Sequence, residues 1–340
     1  MKAVVLERPG QLRFTDTAPP DRPEPDTALV RIRRVGICGT DLHAYKGDQP
    51  FFEYPRILGH ELGVEVVDVL HGAPRDALAV GDRCAVEPYL NCGRCGACRR
   101  GKPHCCDHLR VIGVHLDGGM REYMTVPVSK LHRSPTLSYD QLALVEMLCI
   151  GRHAVARAEL ASEEPVLVIG AGPIGLSVVQ SAQLVGANVV VMEVHRHRAR
   201  FCRDHLGIDA LIDGTKDPLP QLRSVLRGDL PTTVFDATGN PRSMTAAFEY
   251  VAHGGKLVFV GFIQGDIAFR SSEFHRRETT LFGSRNATTA DFVDIIRQLE
   301  AGVIDLTQWI THRASPAGIA EAFPDWLDPA NDVVKAMLEW

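Results

Sequence analysis

Cysteines 92, 95, 98 and 106 share one glycine-rich loop, NCGRCGACRRGKPHCC. Four thiolates spaced C-x2-C-x2-C-x7-C can enclose one tetrahedral zinc with no other ligand, which makes a closed, structural site. Read instead as free thiols, they would leave four oxidisable groups side by side for no benefit. Cys105 is a bystander, because Cys106 gives the loop its reach. A nucleic-acid zinc ribbon would pair two C-x-x-C knuckles across a longer spacer. A second set is dispersed: Cys38 in GICGTDLH, His60 and Glu61 in GHELG, and Glu146. Thiolate, imidazole and carboxylate are the mixed ligands of an open zinc site, where water or substrate takes the remaining position. Spacing alone leaves each of these residues an ordinary packing or surface role as well.

A third motif is Gly170-Ala171-Gly172-Pro173-Ile174-Gly175, which follows an apolar run and opens a helical pattern. The first glycine makes the turn, the second lets the backbone approach a pyrophosphate, and the third allows strand and helix to pack closely. N–H groups at the helix start then face phosphate. Glu193 ends the next apolar run, 18 residues after Gly175. A carboxylate there accepts hydrogen bonds from ribose hydroxyls and repels a 2′-phosphate, which favours NAD over NADP. Arg196 and Arg198 follow; both fit a solvated helix start, and Arg198 can also lie along the adenosine ribose.

These residues need particular elements to hold them. The first third of the chain carries β-branched runs (KAVVLE, ALVRIRRVGI, LGVEVVDVL, DRCAVEPYL, REYMTVP) between Pro- and Gly-bearing loops, the pattern of an all-β, barrel-like domain. From about Glu146 the pattern changes. VLVIG, NVVVME, ALID, TTVFDATG and KLVFVGF alternate with helical stretches such as PIGLSVVQSAQLV, which implies a doubly wound parallel sheet. After Ser284 one helix, a loop, a short helix and a last strand, VVKAMLEW, are expected, and these pieces can return to the first domain. The expected boundaries are 1–146 completed by 286–340, and 147–285.

The 340 residues suit two domains, and a formal charge of −5 disfavours a nucleic-acid or anionic-membrane surface. Nine cysteines, five of them between 92 and 106, do not form a disulfide framework. Cys84, Cys105, Cys149 and Cys202 receive no role. Residues 165–192 lack charge over a span long enough to cross a bilayer, but four glycines and Pro173 interrupt them, so strand, turn, helix and strand fit better than a membrane span. Glu7 and Arg8 stand where a signal peptide needs apolar residues, so a cytoplasmic protein is expected.

GICGTDLH, YPRILGHELG, the four-cysteine loop, DGGMREY and GAGPIG, in this order, resemble the zinc-dependent medium-chain dehydrogenase/reductase family over nearly the whole chain. The resemblance implies a GroES-like β-barrel catalytic domain joined to a Rossmann domain. It also implies two zinc ions per chain, one catalytic and one structural, and NAD-linked oxidation of a secondary alcohol. Cys38, His60 and Glu146 match the catalytic zinc ligands, and Glu61 matches the acid that coordinates in exchange. Thr40 and His43 match the groups that carry the substrate proton to solvent. In polyol-type members a proline usually follows the position of Glu146; here Met147 follows. The strings DQPFFEYPR, VIGVHLDGG and EFHRRETTLFGSRNAT are similar to the L-galactonate 5-dehydrogenase branch, which implies an aldonate such as L-galactonate or L-gulonate and a 5-keto product. Sorbitol-like polyols and L-threonine are the nearest alternatives, and a catalytically silent nucleotide-binding protein is the alternative of a different class. Arg285, which corresponds to an arginine near substrate in polyol dehydrogenases, and His115, before DGG, are candidates for the substrate carboxylate. A homodimer or homotetramer is expected by analogy, paired through TTLFGS.

Overall fold

The apolar runs after residue 165 become parallel strands. In the computed structural model, which describes residues 1–49, 52–70 and 78–340, they form a six-stranded sheet. Its order is Leu211–Asp213, Asn188–Glu193, Pro165–Ile169, Thr233–Asp236, Lys256–Phe259, Thr280–Gly283, every neighbour parallel. Strand order reverses between Pro165–Ile169 and Thr233–Asp236, and in such sheets ligands bind beyond the strand C-termini at that reversal. Leu167, Ile169, Val190, Val234 and Leu257 are buried in one core, as expected for strands covered on both faces.

The chain divides into two compact units: Met1–Met147 with Thr288–Trp340, and Leu148–Ala287. The first is built on the long strand Thr27–Ile37, which pairs antiparallel with Glu61–Val69, Tyr123–Pro127 and the last strand, Lys335–Glu339. Arg83–Val86 and Leu131–Arg133 extend this sheet on one side and Ile310–Ala314 on the other. A smaller sheet joins Gln11–Asp16, Lys2–Arg8 and Arg56–Ile57. Gly36 lies opposite Glu61 on one side and Met337 on the other, so the chain's end reaches the middle of the sheet beside GHELG.

Two sequence expectations change in detail. DRCAVEPYL is not one strand: it breaks at Glu87-Pro88 into Arg83–Val86 and Tyr89–Leu90, because proline has no N–H to continue a ladder. Ile310–Ala314, expected as loop, is an edge strand parallel to Lys335–Glu339. Its residues are half-buried or exposed throughout, so it carries no apolar alternation to read. Pro50 and Phe51 of DQPFFEYPR lie outside the described residues. Among the described residues no helix is long and apolar enough to cross a membrane.

Candidate active site

Cys38 stands where the strand Thr27–Ile37 ends and the helix Gly39–Lys46 begins. Its N–H donates to Asp41 Oδ2 at 2.9 Å, which fixes the turn. Asp41 is fully buried; its other oxygen accepts the Gly59 N–H at 3.3 Å and lies 3.8 Å from His60 Nδ1. One carboxylate thus ties the Cys38 turn to the segment carrying His60. Ligand atoms of Cys38, His60 and Glu61 all lie within 4.8 Å of one another.

Glu61 is completely buried, and Lys335 Nζ, itself 1% exposed, donates to its Oε1 at 2.6 Å. A Cβ on Gly36 would meet Glu61 Oε2 at 2.1 Å, so only glycine leaves room for this carboxylate. Glu146 lies within the helix Tyr139–Ala158, not at a helix start, and falls outside the three-residue set. Its Oε1 accepts a hydrogen bond from the buried Tyr89 hydroxyl.

Burial disfavours a charged His60 imidazole, but the charges of Cys38, Asp41 and Glu146 outweigh it and hold its pKa well above the ordinary value. Burial pushes the carboxyls of Asp41 and Glu146 up. The site therefore gathers more acidic groups than its one buried lysine balances, an environment that calls for a cation. Zinc at its usual 2.0–2.3 Å bond lengths requires donors about 3.3 to 3.8 Å apart. The compact sulfur, nitrogen and oxygen set, with a buried His60 Nδ1 that has no hydrogen-bond partner, fits that metal.

Thr40 and His43 are three positions apart on Gly39–Lys46 and so share a helix face. Thr40 is half-buried and His43 exposed, its Nδ1 2.8 Å from Asp48 Oδ1.

In the cysteine loop, Sγ atoms are 3.4 Å apart for Cys95 and Cys98, 3.5 Å for Cys92 and Cys106, and 3.8 Å for Cys95 and Cys106. These are close to the edges of a zinc tetrathiolate tetrahedron, about 3.8 Å, and far from disulfide length. Backbone N–H groups of Cys92 and His108 donate to Cys106 Sγ at 3.3 Å, and that of Cys98 to Cys95 Sγ at 3.5 Å. N–H donors from Cys98 and Asp107 bring the Cys95 thiol down to about 6, whereas burial and then the neighbouring sulfurs hold Cys98 up at about 11. A readily ionised thiol beside three further sulfurs fits a structural zinc.

In the second unit the glycine turn is at the sheet reversal. Gly170 has φ +90°, and a Cβ on Gly175 would lie 1.7 Å from the Gly170 carbonyl oxygen. Gly172 instead opens on space: the nearest atom to a Cβ there is Arg198 Nη1 at 3.6 Å. Pro173 and Ile174 begin the helix Pro173–Val185. Glu193 accepts N–H bonds from Ala171 at 2.7 Å, Val194 at 2.7 Å and His195 at 2.9 Å. Its carboxylate is therefore locked to the turn, beside an open cradle that suits a dinucleotide pyrophosphate.

His115 and Arg285 belong to different units. His115 is half-buried and its Nδ1 accepts the Val111 N–H at 3.0 Å. Arg285 is exposed, two residues after the edge strand Thr280–Gly283. Sequence reasoning missed Asp41, Lys335 and Tyr89. Asp41 was within reach, since an acid three residues after Cys38 commonly caps a helix; the other two make contacts 274 and 57 residues away.

Two family models match the chain: an alcohol dehydrogenase GroES-like domain over residues 24–136 and a zinc-binding dehydrogenase over 173–301. L-galactonate-5-dehydrogenase of Escherichia coli K12 is 40% identical over 338 residues, 99% of this chain and 98% of that protein. An alcohol dehydrogenase of Escherichia coli CFT073, solved with NADH, superposes with a TM-score of 0.91 at 30% identity, covering 100% of this chain and 99% of the other. L-idonate 5-dehydrogenase of Escherichia coli K-12 gives 0.88 at 25% identity, covering 100% and 98%. Identity at this level along both units shows that the chain belongs to the zinc-dependent alcohol dehydrogenases, within the medium-chain dehydrogenase/reductase family.

Proposed function

We propose that this NAD-dependent zinc oxidoreductase oxidises a secondary hydroxyl of a sugar acid, an aldonate such as L-galactonate or L-gulonate, to the 5-keto acid, and reduces the ketone in reverse. The observation that carries the chemistry is the Cys38, His60 and Glu61 donor set, half-buried at Cys38 and buried at the other two. Support for the substrate class comes from the 40% identity to a dehydrogenase acting on L-galactonate.

When bound, zinc supplies Lewis-acid polarisation of the hydroxyl and NAD accepts the hydride. Cys38, His60 and Glu146 would hold the metal, with Glu61 available in exchange, and Cys92, Cys95, Cys98 and Cys106 would hold the second zinc. Thr40 relays the hydroxyl proton and His43 passes it to solvent, its ring steadied by Asp48. The carbon-bound hydrogen leaves as hydride, so alcohol and NAD⁺ give ketone, NADH and one proton. Gly170, Gly172 and Gly175 shape the pyrophosphate cradle, and Arg198 lies beside it.

A panel of aldonates, polyols and L-threonine, followed by NAD reduction, tests the substrate class. Aldonates should give the highest kcat/KM; preference for sorbitol or L-threonine would overturn the proposal. We assign the substrate carboxylate to Arg285. Losing a charged hydrogen bond costs about 1.5–3 kcal/mol, so Arg285→Ala should raise KM for aldonates about 10- to 150-fold and leave uncharged polyols nearly unchanged. Equal losses on both classes would remove Arg285 from the site. Glu193 is assigned to the adenosine ribose. Glu193→Gln should lower kcat/KM with NAD by about 10-fold or more, by the same reckoning, and narrow the gap to NADP; an unchanged NAD to NADP ratio would contradict it.

A further inference from the structure

Glu61 and Glu146 are both buried carboxylates, and their partners differ in kind. Glu61 meets the Lys335 ammonium, which neutralises it. Glu146 meets the hydroxyl of Tyr89, a neutral donor that satisfies one oxygen and brings no counter-charge. A neutral partner leaves a carboxylate more of its attraction for a cation than an ammonium does.

Tyr89 is itself held on several sides. Its strand Tyr89–Leu90 pairs antiparallel with Arg110–Val111, and the neighbouring Pro88 carbonyl accepts the Ile112 N–H at 3.0 Å. Its ring meets Phe292 edge-on, centroids 6.4 Å apart at 76°. Phe292 stacks on His132 at 4.9 Å and 21°. His132 Nε2 is 3.1 Å from Glu87 Oε2, which also accepts the Thr289 hydroxyl at 2.8 Å, while Lys130 donates to Glu87 Oε1. A phenol braced in this way presents its hydroxyl at one place.

We propose that Tyr89 is a positioning residue for the catalytic zinc: its hydroxyl fixes Glu146 through Oε1, so that the carboxylate keeps one orientation toward a metal held by Cys38 and His60. The inference rests on the reading of Glu146 as a zinc ligand. Hydrogen-bond partners of metal ligands typically contribute 10- to 100-fold in metal affinity or activity.

The test is metal retention by the full-length, zinc-loaded protein under graded chelator, with d–d absorption after cobalt replaces the exchangeable zinc. Tyr89→Phe should release one of two zinc ions about 10- to 100-fold more readily, keep the other, and shift the cobalt bands. Tyr89→Gln restores a donor without the ring and should recover part of the affinity; a packing role alone would make Gln worse than Phe. Unchanged release and unchanged cobalt bands in Tyr89→Phe, with Glu146→Gln weakening the same metal, would overturn the inference alone. Unchanged release in Glu146→Gln as well would overturn the ligand reading beneath it. Far-ultraviolet circular dichroism identifies a variant that has lost its fold; if Tyr89→Phe is one, the contrast between Tyr89→Gln and Glu146→Gln decides.

Discussion

His60→Ala should give a folded protein that carries one zinc per chain instead of two and turns substrate over at least about 10³-fold more slowly. A Lewis acid contributes several kcal/mol to transition-state charge stabilisation, and each 1.36 kcal/mol is a factor of ten in rate. His60 is the only nitrogen donor in its set. Removing it leaves one sulfur and carboxylates, a poorer ligand set for zinc. The substitution also removes the group that faces Asp41 at 3.8 Å, but Asp41 keeps the N–H groups of Cys38 and Gly59, so the local turn survives. The cysteine loop is a separate cluster and keeps its metal. Elemental analysis beside steady-state kinetics checks both halves: two zinc ions retained, or a loss below tenfold, would refute the placement of the catalytic metal.

Lys335→Met should destabilise the first unit by about 3–5 kcal/mol, the usual cost of leaving a buried charge without its partner. Methionine keeps much of the lysine stem but not the ammonium, while Glu61 stays fully buried against Gly36 with no room to turn away. Adding Glu61→Gln should recover a large part of the loss, because an amide needs hydrogen bonds but no counter-charge. All three tryptophans, Trp309, Trp326 and Trp340, lie in the segment Thr288–Trp340, so tryptophan fluorescence during urea unfolding reports on that unit. Additive effects of the two substitutions would show that the pair is not coupled, and a loss under about 0.5 kcal/mol, the range of ordinary surface substitutions, would show that it is not a buried ion pair.

What could be read from the residues alone follows how local each device is. The four-cysteine loop closes within one stretch of chain, and the glycine turn with Glu193 spans a single strand-helix-strand unit; composition and spacing suffice for both. Parallel strands buried on both faces announce themselves as unbroken apolar runs. Ile310–Ala314 does not, because at a sheet edge either face can be polar. The partners of the buried carboxylates in the candidate metal site are the least legible. Nothing in VVKAMLEW marks Lys335 as the counter-ion of Glu61, and a tyrosine after a proline gives no sign of a glutamate on a distant helix. Burial and long-range contact decide those roles, and neither is written in local periodicity.

The last strand, Lys335–Glu339, lies between Thr27–Ile37 and Ile310–Ala314 and delivers Lys335 to Glu61. This imposes an order on biosynthesis. The nucleotide unit is continuous in sequence, Leu148–Ala287, and is complete while the ribosome is still translating. The other unit is begun before it and closed after it: its central sheet has a gap, and Glu61 lacks its counter-ion, until Lys335–Glu339 has left the ribosome. A chain stopped before Lys335 would therefore carry Cys38, His60, Glu61 and Glu146 without the strand that completes the sheet beside them.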